Sequence, residues 1–153
     1  MELDEIKAKA AALSMWAHMA TVGADGKPDV VPVHPCWGPA PGAPDDDRSV
    51  LWTMAGADSV KARNIAANRN VALHWQVTAE GDGVELWGTA EVFTDIDTKR
   101  RLWKGVFDYD LDAFAPGGPE SPGLAFVAVY PERALYLEMY GVKGSHRWSK
   151  ASS

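Results

Sequence analysis

The stretch from Val71 to Phe93 constrains the fold most. Val71, Leu73, Trp75 and Val77 alternate with more polar residues. Gly81-Asp82-Gly83 then turns the chain, and Val84, Leu86, Ala90 and Val92 repeat the alternation around Gly88. Two period-2 runs joined by a glycine-aspartate turn predict an antiparallel hairpin with one buried face. A half-buried hairpin is not stable alone, so further strands must extend its sheet.

Those strands are expected at Trp16 to Val22, Asp29 to Trp37, Ser49 to Met54, Leu124 to Tyr130 and Ala134 to Tyr140. Gly23-Ala24-Asp25-Gly26 joins the first two as a turn. Pro28, Pro32 and Pro35 push the second toward a sheet edge or a bulge. Pro131-Glu132-Arg133 is expected to separate the last two. Helices are expected over Asp4 to Leu13, over Ser59 to Asn68 with Asp58 as the cap, and from the Asp95 cap to Phe107. The proline- and glycine-rich segment Gly38 to Asp47 and the acidic segment Asp108 to Gly123 read as solvated loops, the former mobile. The tail from Gly141 is basic and is assigned no element. Strands in hairpins with segregated helices give an α+β chain with a mostly antiparallel sheet of six to seven strands. That many strands in so short a chain suggest a small barrel closed on itself, with a few flanking helices.

With 153 residues, the chain buries about 69% of its extended surface by size scaling. Residues 1–153 therefore read as a single domain. The net charge of −6 and the absence of a basic run argue against a nucleic-acid partner. Cys36 is the only cysteine, so an internal disulfide framework and a multi-cysteine zinc site are excluded. Glu2, Asp4 and Glu5 have the wrong sign for a leader peptide, and no apolar run is long enough to span a membrane. The expected compartment is the cytoplasm.

The segment from Leu51 to Ile65 carries the clearest chemical signal. A strand ends, small residues bring the backbone round, and a helix begins with Ser59, Lys61 and Arg63 near its start. Free amides, the positive end of the helix dipole, a hydroxyl and two cations together suit a phosphate. A capped surface helix with solvated cations accounts for the same residues, and both readings stand at this point.

Several motifs occur in an order that resembles the split-barrel flavin-binding proteins related to pyridoxamine 5′-phosphate oxidase. They are Ala20-Thr21 through Lys27-Pro28, Val31-Pro32-Val33, Leu51-Trp52-Thr53, Ser59 to Ile65, Asn68 to Leu73, and Leu86 to Val92. The resemblance covers about residues 15 to 93, with a looser fit after Leu124. It implies a split barrel that binds FMN, or in some branches the deazaflavin coenzyme F-420, at a homodimer interface. It further implies that Trp52, Thr53 and Met54 line the isoalloxazine or ribityl chain, and that Ser59 and Lys61 hold the phosphate. Val31, Pro32, Val33 and His34 would present backbone to the ring, and Trp87 and Trp148 would contribute from the partner subunit.

Two positions depart from the oxidase pattern. Val31 stands where that pattern has an arginine, and Val60-Lys61 where it has an Arg-Lys pair. Either Arg63 or Arg147 substitutes, or FMN binding is weak. Gly144-Ser145-His146-Arg147-Trp148 has the residue types of the oxidase's substrate motif in another order, which argues against pyridoxamine phosphate as substrate. The resemblance therefore implies a flavin- or deazaflavin-dependent oxidoreductase acting on an unspecified small molecule. The alternative is a non-catalytic split barrel that stores or senses a flavin or another planar ligand.

His34 and Cys36 lie two apart on one strand face, but a metal site needs two more ligands. The spacing of His18, His74 and His146 does not converge on them, so no metal is expected. His34 falls near the flavin edge implied by the resemblance and is a candidate for proton transfer. His74 is expected to be a partly buried, hydrogen-bonded histidine. Asp108, Asp110 and Asp112 lack the glycine and terminal glutamate of a calcium loop, so they and Asp45 to Asp47 are expected to be solvated. Of the seven tryptophans, Trp16, Trp75 and Trp103 are expected in the core. Trp37, Trp52, Trp87 and Trp148 are expected near the flavin or the dimer contact.

Overall fold

The computed structural model describes residues 1–75 and 77–151. Helix α1 (Leu3–Leu13) opens the chain, with the Glu5 carboxylate accepting the Glu2 amide at 2.8 Å. Strands β1 (Ala17–Val22), β2 (Pro28–Val33), β3 (Cys36–Gly38) and β4 (Val50–Gly56) follow. After them come α2 (Val60–Ala67), β5 (Asn70–Trp75), β6 (Gly83–Phe93), α3 (Ile96–Leu102) and α4 (Leu111–Phe114). Strands β7 (Leu124–Glu138) and β8 (Gly144–Ser149) end the fold. No helix among the described residues is long and apolar enough to cross a membrane.

Among the described residues, the eight strands form one antiparallel sheet, in the order β2-β1-β5-β6-β7-β4-β3, with β8 also paired to β7. The 71–93 hairpin forms as expected, Val71 opposite Gly88, Leu73 opposite Leu86 and Trp75 opposite Val84. Of its expected first strand, Gln76 lies outside the described residues, and Val77 and Thr78 are not in a strand.

The strand count differs from the sequence expectation in three places. Asp29 to Trp37 is two strands, because His34-Pro35 breaks the ladder between β2 and β3. Leu124 to Glu138 is one strand rather than two: Pro131 lies at an irregularity opposite Gly88, where a proline without an N–H is tolerated. A Cβ at Gly88 would collide with the Tyr130 carbonyl, so the bulge requires glycine there. The tail adds β8, which pairs with the second half of β7 from Arg133 to Glu138.

Two helix expectations also change. Ser59, not Asp58, caps α2, its hydroxyl accepting the Ala62 amide at 3.2 Å. Asp95 caps α3 as expected, but the helix stops at Leu102, and the acidic segment beyond carries α4 and a 3-10 turn over Gly118–Glu120. The 38–47 loop is anchored rather than mobile. Arg101 bonds Asp45 at 2.9 Å and the carbonyls of Ala40 and Ala43, and Asp47 accepts the Ala40 amide at 2.9 Å.

Two hydrophobic cores result. The barrel interior holds Met19, Leu73, Leu86, Val127 and Val129, closed by Ile6 of α1 and Ile65 of α2. The second core lies on the reverse face of β4 and β7, where Trp52, Phe126 and Ala128 meet Leu102, Phe107 and Leu111. With both faces buried, β4 and the first half of β7 are almost continuously apolar.

Candidate functional site: a cavity at the open seam of the barrel

Strands β2 and β3 are neighbours in sequence yet stand at opposite ends of the sheet, so the barrel has an open seam. A cavity of about 700 Å³ lies there, within the range typical of small-molecule sites. One wall is the end of β2 with Pro32, Val33 and His34, and a second is the end of β4 with Met54, Ala55 and Gly56. Lys61 reaches in from the first turn of α2. Trp16, Tyr109 and Phe114 supply an aromatic rim.

Lys61 is only 9% exposed. Its ammonium has one long contact, 3.4 Å to the Met54 carbonyl, and burial holds its pKa below the ordinary lysine value. A buried ammonium with so little compensation favours an anionic partner. The amides of Val60 and Lys61 have no backbone partner among the described residues, as expected in the first turn of a helix. The Ser59 hydroxyl is engaged in its cap, and Arg63 is exposed. The positive character of the cavity therefore comes from Lys61 and the start of α2.

Five of the residues singled out from the sequence meet in the cavity wall: Pro32, Val33, His34, Met54 and Lys61. The others are placed elsewhere. Val31 packs partly buried against the barrel interior. Trp52 is buried in the second core, its indole donating to the Pro39 carbonyl at 3.0 Å. Thr53 alternates with Trp52 and so shares the interior-facing side with Leu51 and Ala55; its buried Oγ1 has no hydrogen-bond partner. Trp87 and Trp148 meet in a separate groove of about 180 Å³ with Arg147, where Arg133 sits 4.0 Å above the Trp87 ring.

Trp16 reverses its expectation: it is 56% exposed at the cavity rim, because it precedes β1 and is not held in the ladder. Trp75 is in the core as expected, whereas Trp103 is half-buried and donates to Asp112 at 3.2 Å. Trp37 is half-buried, with the Lys7 ammonium 4.0 Å from its ring centre. His74 is exposed, since its side of β5 is not covered. Tyr109, Phe114, Ala115 and Leu124 are missed by the sequence reading. The apolar residues Leu111, Phe114 and Ala115 within the acidic segment were the available signal.

The acidic residues are engaged rather than merely solvated. Asp110 caps α4, and Asp108 crosses to the link between β2 and β3. There Asp108 Oδ1 lies 2.9 Å from His34 Nε2 and 3.4 Å from Cys36 Sγ. The His34 approach is close but poorly aligned for a hydrogen bond, leaving the buried Nε2 without a hydrogen-bonding partner. Tyr109 stacks on His34 at 4.3 Å between ring centres. Burial pushes the Cys36 thiol and the Tyr109 phenol each up to about 12.

Comparison with solved structures gives the same fold. A Clostridium acetobutylicum protein related to general stress protein 26 superposes with a TM-score of 0.72 at 16% identity, covering 97% of this chain and 96% of that one. An FMN-binding protein related to pyridoxamine 5′-phosphate oxidase, from Nostoc punctiforme, gives 0.62 at 15% identity, covering 95% and 86%. A heme-binding protein from Mycobacterium smegmatis gives 0.69 at 16% identity, covering 97% of this chain and 58% of that one. No curated protein matches the sequence. The profile of the pyridoxamine 5′-phosphate oxidase family matches residues 5–138, nearly the whole described fold, and the chain belongs to that family.

Proposed function

We propose that this chain binds a flavin in the seam cavity and works as an oxidoreductase on a small molecule. FMN is the preferred cofactor and coenzyme F-420 the alternative. The observation that carries this reading is the mixed lining of the cavity, which combines the buried Lys61 ammonium with the aromatic side chains of Trp16, Tyr109 and Phe114. A planar ring bearing a phosphorylated side chain matches that combination. Lys61 and the first amides of α2 would hold the phosphate. Trp16, Tyr109 and Phe114 would shield the ring from water. A bound flavin would supply the hydride or electron transfer. The Nostoc protein, described as FMN-binding, lends support from the same fold.

A second copy of the chain is proposed to complete the site. Trp16 and Phe114 are 56% and 69% exposed at the cavity rim, and Met15, next to Trp16 in the chain, is exposed as well. Apolar side chains clustered at a cavity mouth mark a surface to be covered. A non-catalytic, ligand-holding role is the second reading. One observation favours it: Lys61 is the only cation lining the cavity among the described residues.

Mass spectrometry of the small molecule released from the native protein tests the cofactor. Release of FMN or F-420 is the expected result. A protein that releases neither, and gains no thermal stability from either, would sink the reading. Oxidation of a reduced nicotinamide with a coloured acceptor separates the enzyme from the holder, and light scattering tests the dimer.

A further inference from the structure

We propose that His34, Cys36 and Asp108 form a binding site for a divalent cation of the zinc class, separate from Lys61 and the start of α2. One ligand atom from each residue lies within 4.8 Å of the other two. Bonds of about 2.0–2.3 Å in a tetrahedral site place neighbouring ligand atoms roughly 3.3–3.8 Å apart. The carboxylate oxygen already stands 2.9 Å from the imidazole and 3.4 Å from the sulfur. Shifts of less than about an ångström per side chain bring the three to bonding positions around one ion.

The donor set selects the metal. A sulfur, an imidazole nitrogen and a single carboxylate suit zinc, cobalt or a similar borderline ion, not calcium or magnesium. The local structure presents that set. His34 and Cys36 flank Pro35, whose fixed φ holds the link between β2 and β3. Asp108 is exposed, but its chain neighbours anchor it: Phe107 in the second core and Tyr109 on the His34 ring, 5.4 Å apart centre to centre. The imidazole nitrogen is buried and lacks an aligned hydrogen bond, a cost that an ion would remove.

Three protein ligands leave a fourth position. A cavity of about 300 Å³, lined by Ser14, Met15 and Trp37 together with the three ligands, opens onto the cluster. His34 also lines the seam cavity. The geometry is that of an open site, with a water or a ligand atom in fourth place, rather than a closed structural one. On binding, the Sγ–H bond of Cys36 breaks, an Sγ–metal bond forms, and the proton leaves to solvent. No electron is transferred.

Cobalt alone, titrated into the chelator-treated full chain, tests the site independently of any flavin. One equivalent per chain is expected, with a near-ultraviolet thiolate-to-cobalt charge-transfer band that zinc abolishes. Cys36→Ser should remove the band. Asp108→Asn is exposed, so it tests a ligand without disturbing the core, and it should weaken cobalt binding at least about tenfold, by analogy with the loss known for outer-shell partners. His18→Ala, on the exposed side of β1, should change neither. Circular dichroism checks that each variant folds. Absence of the band in the wild-type chain, or wild-type affinity in either ligand variant, overturns the proposal.

Discussion

The two cores of this chain are built on opposite faces of the same strands, and they differ in kind. The barrel interior is mainly aliphatic and is enclosed by regular strands and two helices. The second core is rich in aromatics, and an irregular stretch from α3 to the start of β7 covers it. Regular strands give a rigid wall with few free polar groups. The irregular cover delivers Asp108, Tyr109 and Phe114 to the seam. The cavity lies where the two sides of the sheet meet: α2, on the barrel side, brings Lys61, and the irregular cover brings Tyr109 and Phe114.

The comparison breaks most severely if one core is dispensable. Phe126→Ala in the second core should cost about 3–5 kcal/mol, and Leu73→Ala in the barrel about 2–5 kcal/mol. Both residues are fully buried. Urea melts followed by two probes should show one shared transition for each variant. A separate early transition in Phe126→Ala would make the second core an independent unit.

The next effect is local to the seam. Lys61→Gln should weaken FMN binding about 10- to 100-fold, the scale of a charge-assisted hydrogen bond. Fold stability should hold or rise, because a poorly paired buried charge is removed. Isothermal titration and thermal melts read the two separately. The same lysine sets a pH dependence. Its folded pKa lies below the unfolded value, so the unfolded state binds more protons between the two. Its contribution to the stability of the ligand-free protein therefore rises with pH across that window. FMN affinity should fall across the same range as the ammonium is lost, and Lys61→Arg should remove that fall.

Smaller effects sharpen the contrast at the periphery. Arg101→Met removes three anchors of the 38–47 loop and should cost about 1–2 kcal/mol. Protease nicking within that loop should increase while the barrel stays intact. Ser59→Ala and Asp95→Ala each remove a helix cap and should cost about 1 kcal/mol. Only Ser59→Ala should also disturb ligand binding, since it loosens the turn that carries Lys61.

Legibility in the sequence follows the same division. Alternation identified the 71–93 hairpin and its buried face, because a period of two directly reports which side of a strand is apolar. It is silent where both faces are buried. The resemblance implies a ligand contact for Trp52, which packs in the second core, and the apolar pattern predicts a core position for Trp16, which stands at the cavity rim. Pro131 signals a turn locally, yet pairing on both sides of β7 carries the strand through it as a bulge. Asp108 read as solvated because nothing in its neighbours indicates that Tyr109 will stack on a histidine more than seventy residues away.

By itself, then, the sequence determined an antiparallel barrel, the helix start that offers Lys61, and the resemblance to flavin-binding split barrels. The first two rest on contacts close along the chain or on strand periodicity, which local chemistry dictates, and the resemblance rests on the order of short motifs. Tertiary structure alone decided which aromatics line the cavity and which fill a core. It also brought Asp108 to His34 and Cys36. Both outcomes depend on how an irregular segment folds over the reverse face of the sheet, where packing between distant residues, not local propensity, sets the geometry.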